Sequence, residues 1–174
     1  MLARTRIIFF LGLAVVARGQ SADEYQVKAA FLYNLAKFVE WPPESFKTST
    51  DPMTVCILGS SPITDALEVA VKGKALSGRS FAIQQISDLR QTGNCKILFV
   101  SASEQKRLRS ILLEIKGDGV LTVGEVDTFI EEGGIVNFKL VEGTVRLQIN
   151  VSIATQRHLQ ISSRLLSLAQ IVKN

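Results

Sequence analysis

The chain has 174 residues, 47% of them hydrophobic and 21% charged, with 20 Lys plus Arg against 16 Asp plus Glu, one His and two Cys. That much apolar material buries the core of one ordinary domain and excludes a disordered chain. The formal net charge of +4 invites a polyanionic partner, nucleic acid or anionic lipid, until the positions of the charges are considered.

Residues 1–19, MLARTRIIFFLGLAVVARG, place Arg4 and Arg6 ahead of an 11-residue apolar run, Ile7 to Ala17, and end on the small-x-small triplet Ala17-Arg18-Gly19. This is the layout of a secretory signal peptide cut after Gly19. The run is too short to span hydrocarbon, which takes about 20 residues. No later segment nears that length, so the expectation is an exported domain over 20–174, without stable membrane insertion. Of the 20 bases, Arg4, Arg6 and Arg18 leave with the signal, so 17 face 16 acids. The balance falls to about +1, and the case for nucleic acid falls with it.

In the exported part, Val27, Phe31, Leu35, Phe38 and Val39 recur at helical spacing and predict an amphipathic helix over 23–39. Trp41-Pro42-Pro43 stops it. The wholly apolar run 53–59 reads as a strand buried on both faces, and 62–71 as a helix entered through Pro62. Residues 79–86 alternate as a strand, with Phe81, Ile83 and Gln85 on one face. A second buried strand spans 95–100. It is followed by a Ser-Ala-Ser cap and a helix carrying Leu108, Ile111, Leu112 and Ile115 on one side, stopped by Gly117 and Gly119. A short strand covers 120–123. Strands interleaved with helices predict an α/β domain around a largely parallel sheet. The last third departs from that rhythm: 135–141 and 144–150 flank Glu142-Gly143 as a β-hairpin. Ile161, Leu165, Leu168, Ala169 and Val172 form the stripe of a closing helix. No repeat or linker divides the chain, which reads as one domain.

Catalytic constellations are scarce. One His, His158, offers no second imidazole for a metal, and there is no HExxH, GxSxG or phosphate-loop motif. Gly117-Asp118-Gly119 and Gly133-Gly134 read as turns, and Glu131 and Glu132 as poorly placed for acid–base work. The expectation is a protein without catalytic residues, metal or cofactor. Cys56 and Cys95 fall in predicted buried strands. Export favours a disulfide between them, against free buried thiols or a redox pair. Candidate recognition residues are Arg146, Gln148 and Asn150 on the hairpin's polar face, and Arg157, His158 and Arg164 near the start of the last helix. Arg supplies a bidentate fork and His a titratable donor for an anion or an acidic side chain. The competing reading is an ordinary solvated surface. Trp41 is either a packed corner or an anchor for a partner.

Five ordered blocks then carry a resemblance: KAAFLYNLAKFVEWP (28–42), VCILG (55–59), CKILFVS (95–101), VLTVGEVDTFIEEGGIVNFKL (120–140) and LQINVSIATQRHLQISSRLLSLAQIV (147–172). In them the chain resembles the YfiR family of bacterial periplasmic proteins over essentially all of 23–173. The resemblance implies a Rossmann-like layered α/β fold, a homodimer, and a regulatory role without catalysis. It implies repression of a membrane diguanylate cyclase through that enzyme's periplasmic domain, and sequestration by an outer-membrane lipoprotein. It also implies a Cys56–Cys95 core disulfide. This chain lacks the second Cys pair of some members. The rival expectation is a small-ligand sensor serving another envelope receptor, such as a histidine kinase.

Overall fold

A computed structural model describes residues 18–115 and 119–173 of the chain. The expected signal peptide lies outside the described residues except for Arg18 and Gly19, which begin the first helix; so does Gly117. The alternation read from the sequence becomes an eight-stranded, mostly parallel sheet with helices on both faces.

Helix α1 (Arg18–Phe38) turns Ala29, Leu32, Leu35 and Ala36 onto the sheet and buries them. It ends at Phe38, shortly before Pro42 and Pro43 remove two backbone donors and bar a helix from resuming. Strand β1 (Val39–Glu40) follows. Strand β2 (Met53–Leu58) is buried at every position, as a central parallel strand must be. Helix α2 (Ile63–Val71) packs beside α1 through Ile63, Leu67 and Val71. The chain then turns through β3 (Ala75–Leu76) into β4 (Arg79–Ile86). It crosses to β5 (Ile97–Val100) and passes through a 3-10 turn into α3 (Leu108–Glu114). Leu108, Ile111, Leu112 and Ile115 are all buried. Next come β6 (Leu121–Gly124), β7 (Val136–Val141) and β8 (Thr144–Asn150). The last two are antiparallel about the Glu142-Gly143 turn, with Val141 opposite Thr144. The expected hairpin is present.

Across the sheet the order is β10-β8-β7-β6-β5-β2-β4-β3. Two cores result. α1 and α2 cover one face with Val55, Ile57, Phe99 and Phe138; α3 covers the other with Cys56, Leu58, Leu98 and Phe129. Phe129 is fully buried, and a side chain at Gly124 or Gly134 would collide with its ring. Those two glycines are where the backbone must approach an aromatic closely.

The closing segment differs from its helical expectation. β8 leads into α4 (Val151–Gln156), β9 (Gln160–Ile161), a single helical turn α5 (Ser163–Leu166) and β10 (Ala169–Val172), parallel to β8. The 3.6-residue stripe is broken: Leu165 is buried but Leu168 is 69% exposed. Ser162 caps a short turn, accepting from the Leu165 N–H. The free edge of β8 then recruits Ala169–Val172 as a strand in place of the expected helix, a tertiary hydrogen-bond ladder outweighing local periodicity.

Candidate functional site

In open α/β sheets ligands bind beyond the carboxyl ends of the strands, where the strand order reverses. Here that point lies between β2 and β5, since the chain leaves β2 for β4 on one side and returns to β5 on the other. The part of the crevice under α1 is filled by the protein's own groups, while beside it a cleft of about 760 Å³, lined by Ser60, Thr64, Gln85, Ser87 and Glu104, stays open over the ends of β2 and β4. Lys28 Nζ lies 2.5 Å from Glu24 Oε1 and 2.7 Å from Glu125 Oε2. Glu125 Oε1 accepts the Ala102 N–H at 3.1 Å. The Ser101 hydroxyl donates to the Ser60 carbonyl at 2.6 Å, and the Ser60 N–H donates to Ser103 Oγ at 3.0 Å. Burial pulls the Lys28 ammonium down, but hydrogen bonds and charge from Glu125 and Glu24 outweigh it and hold the group above the usual lysine range. Burial, then the Glu125 charge, raises the neighbouring Tyr25 phenol.

The opposite end of the sheet is open as well. β1 and β9 pair antiparallel, Val39 with Ile161 and Glu40 with Gln160. The residues just beyond, Trp41 and His158, are thereby brought to one cleft of about 770 Å³, walled by Pro42, Val151, Thr155 and Leu159. The Trp41 indole N–H donates to the Lys96 carbonyl at 3.2 Å, fixing the half-buried ring against the start of β5. His158 is exposed and takes a left-handed backbone, φ 57°, its N–H closing a turn onto the Thr155 carbonyl at 3.0 Å. Such a conformation is uncommon away from glycine.

The other candidates do not converge there. Arg157 Nη1 donates to the Ile115 carbonyl at 2.7 Å, and the Arg157 carbonyl accepts the Gly119 N–H at 2.9 Å, so this residue ties α3 to the end of α4. Arg164 lies over the Phe38 ring, 5.9 Å from its centroid. Arg146 is exposed and sits opposite Lys139 across the hairpin. Asn150 is a correction to the expected polar face: it is fully buried, and its Oδ1 accepts the Ile153 N–H at 3.1 Å as the cap of α4. Its place at the strand-to-helix junction, not the alternation along β8, decides its environment.

Cys56 and Cys95 form a disulfide with Cα atoms 5.7 Å apart. Cys56 lies on β2, and Cys95 stands just before β5, outside the strand expected to contain it. Because β2 and β5 are neighbours, the bridge staples two central strands. Next to it, a cleft of about 440 Å³ is lined by Lys47, Asp51, Arg90, Lys96 and Glu114. Burial, with Lys47 and Arg79 against Asp51, lowers the Lys96 ammonium.

Sequence reasoning missed the Lys28–Glu125 pair. Its partners are 97 residues apart, and Lys28 falls off the stripe of Val27, Phe31, Leu35 and Phe38 that predicts the helix. The only local hint was Glu24 four residues before Lys28.

Among the described residues, no group of three or more His, Cys, Asp or Glu is placed to hold a metal ion, and no helix is long and apolar enough to cross a membrane. A family model described as YfiR/HmsC-like matches residues 25–170. No curated protein matches the sequence. Among solved structures the chain is similar to the ABC domain in complex with L-Trp from Streptococcus pneumonia, with TM-score 0.52 and 12% identity over 69% of this chain and 55% of that one. It is likewise similar to a conserved domain protein from Vibrio cholerae O1 biovar eltor, with TM-score 0.50 and 9% identity over 70% of this chain and 55% of that one. The chain thus spans little more than half of each, and at these identities the likeness concerns the fold alone.

Proposed function

Because the chain belongs to the YfiR/HmsC-like family, we propose that it is an exported periplasmic regulator that restrains a membrane diguanylate cyclase by binding the enzyme's periplasmic domain. The observation that carries this reading is the family match across 25–170, which takes in every sheet strand but the end of β10. Restraint requires no catalysis: a protein that binds the inactive state of the cyclase more tightly than the active one shifts the equilibrium by that difference in affinity. Its other partners in this reading are a second copy of itself and an outer-membrane lipoprotein that sequesters it. Deletion of the gene is expected to raise cellular cyclic di-GMP and surface adhesion, and tagged protein to co-purify a membrane cyclase. Unchanged cyclic di-GMP after deletion would sink the proposal.

A second reading, a small-ligand sensor, is favoured by the open cleft that joins Trp41 and His158. Clefts of this size lined by apolar walls with a few polar groups suit small ligands. A ligand panel is expected to shift the melting temperature of the wild type but not of His158→Ala. Equal shifts in both would remove the cleft from consideration.

A further inference from the structure

Three amides stand in one row across the last strands of the sheet. Asn137 is paired with Gln148 across β7 and β8, and Gln148 with Gln170 across β8 and β10. Asn137 Nδ2 donates to Gln148 Oε1 at 3.3 Å, and Gln148 Nε2 donates to Gln170 Oε1 at 3.2 Å. The row runs from the buried Asn137 to Gln170, exposed on the outermost strand.

The two edges of the sheet are built differently. β3 is two residues long and turns back through left-handed Ser77 and Gly78. β10 has four residues, Ala-Gln-Ile-Val, with no charge, proline or bulge among them. These are the usual devices that keep a free edge from pairing. Ile171 is 47% exposed there, and Leu168, next to the strand, 69%.

We propose that β10 pairs antiparallel with β10 of a second copy about a two-fold axis through Gln170. Opposed side chains of an antiparallel pair share a face, so the axis falls at a residue and one register stands out. Centred on Gln170, it sets Gln170 against its twin, Ile171 against Ala169 of the second copy, and Val172 against Leu168. Centred on Ile171 instead, it sets Gln170 against Val172 and Ala169 against Lys173. The first matches amide with amide and apolar with apolar throughout. A glutamine amide both donates and accepts, so the row continues through the axis into its mirror sequence Gln170, Gln148, Asn137, and the two sheets become one. The interface is isologous, the usual form for a two-fold dimer. It deepens the homodimer part of the proposed function and does not depend on the cyclase.

Light scattering on the purified chain across a dilution series is expected to show a dimer. Ile171→Lys is expected to weaken it roughly tenfold or more. In Gln170→Cys, mild oxidation is expected to link two chains through position 170, whereas Leu113→Cys, exposed on α3 and outside the proposed interface, stays unlinked. Gln170→Glu sets two carboxylates on the axis, so its dimer is expected to weaken at neutral pH and recover as pH falls into the carboxyl range. Circular dichroism confirms that each variant is folded. A monomeric wild type, or a dimer indifferent to Ile171→Lys and Gln170→Glu with no link at 170, would overturn the interface. Neither result bears on cyclic di-GMP in the deletion strain, so the two proposals fail separately.

Discussion

A lysine ammonium held between two carboxylates where a helix crosses a sheet is a costly arrangement to break from one side. The Glu125 side chain is only 3% exposed, so Lys28→Met leaves a buried charge without its counterion. The loss is expected to be about 3–5 kcal/mol, read as a lower urea midpoint. Glu24→Gln should cost much less, because that side chain is 24% exposed and water screens it. The pH dependence has a definite sign. With its folded value above the usual 10.5, Lys28 contributes stability that is complete below 10.5 and is lost as pH rises through the raised value. Wild type is expected to lose stability on that alkaline limb, and Lys28→Met to show less of it.

At the scale of elements, the sequence was informative wherever one period of burial ran uninterrupted. β2 is apolar at almost every position, α3 repeats Leu108, Ile111, Leu112 and Ile115, and the hairpin alternates cleanly around Glu142-Gly143; all three are where their residues put them. The closing segment departs from its helical period because five apolar residues at that spacing can also serve a short turn and an edge strand. Only the vacant side of β8, fixed by residues far away in the chain, decides between them. Asn150 departs from the alternation for a similar reason, since the period of a strand takes no account of the helix that begins after it. The disulfide was legible from export and an even count of cysteines, and it makes its own prediction. The bridge spans a sequence separation of 39, worth about 4 kcal/mol in the chain-entropy model. Cys56→Ala with Cys95→Ala is expected to lower the unfolding free energy by about that amount, measured by urea titration against the oxidised wild type.

For the whole molecule, the two cores lie on opposite faces of the same central strands, β2 and β5. Neither face can be exposed without stripping the backing from the other, so the described domain should unfold as one unit. Trp41, the one tryptophan, packs against the α1 core, whereas far-UV circular dichroism averages over all elements. Their urea transitions are expected to coincide; separate midpoints would divide the sheet into two folding units. Strand order was beyond the sequence, since the alternation of elements fixes neither which side of β2 the chain takes first nor where it reverses. The candidate site shared that limit: Trp41 and His158 were each singled out, but only the β1–β9 pairing makes them neighbours.

The Lys28–Glu125 lock has a further consequence. A sheet of this topology is a vessel whose usual mouth opens above its carboxyl ends, and here the first helix is the cork, seated by two acids and a lysine. The space beneath Lys28 can be filled only if α1 lifts, and lifting it would expose the crevice and strip the α1 core together. Ligand entry beneath α1 would therefore cost much of the domain's folding free energy, which leaves the clefts that need no such lifting, the one over the ends of β2 and β4 and the one at the base beside Trp41, as the accessible openings.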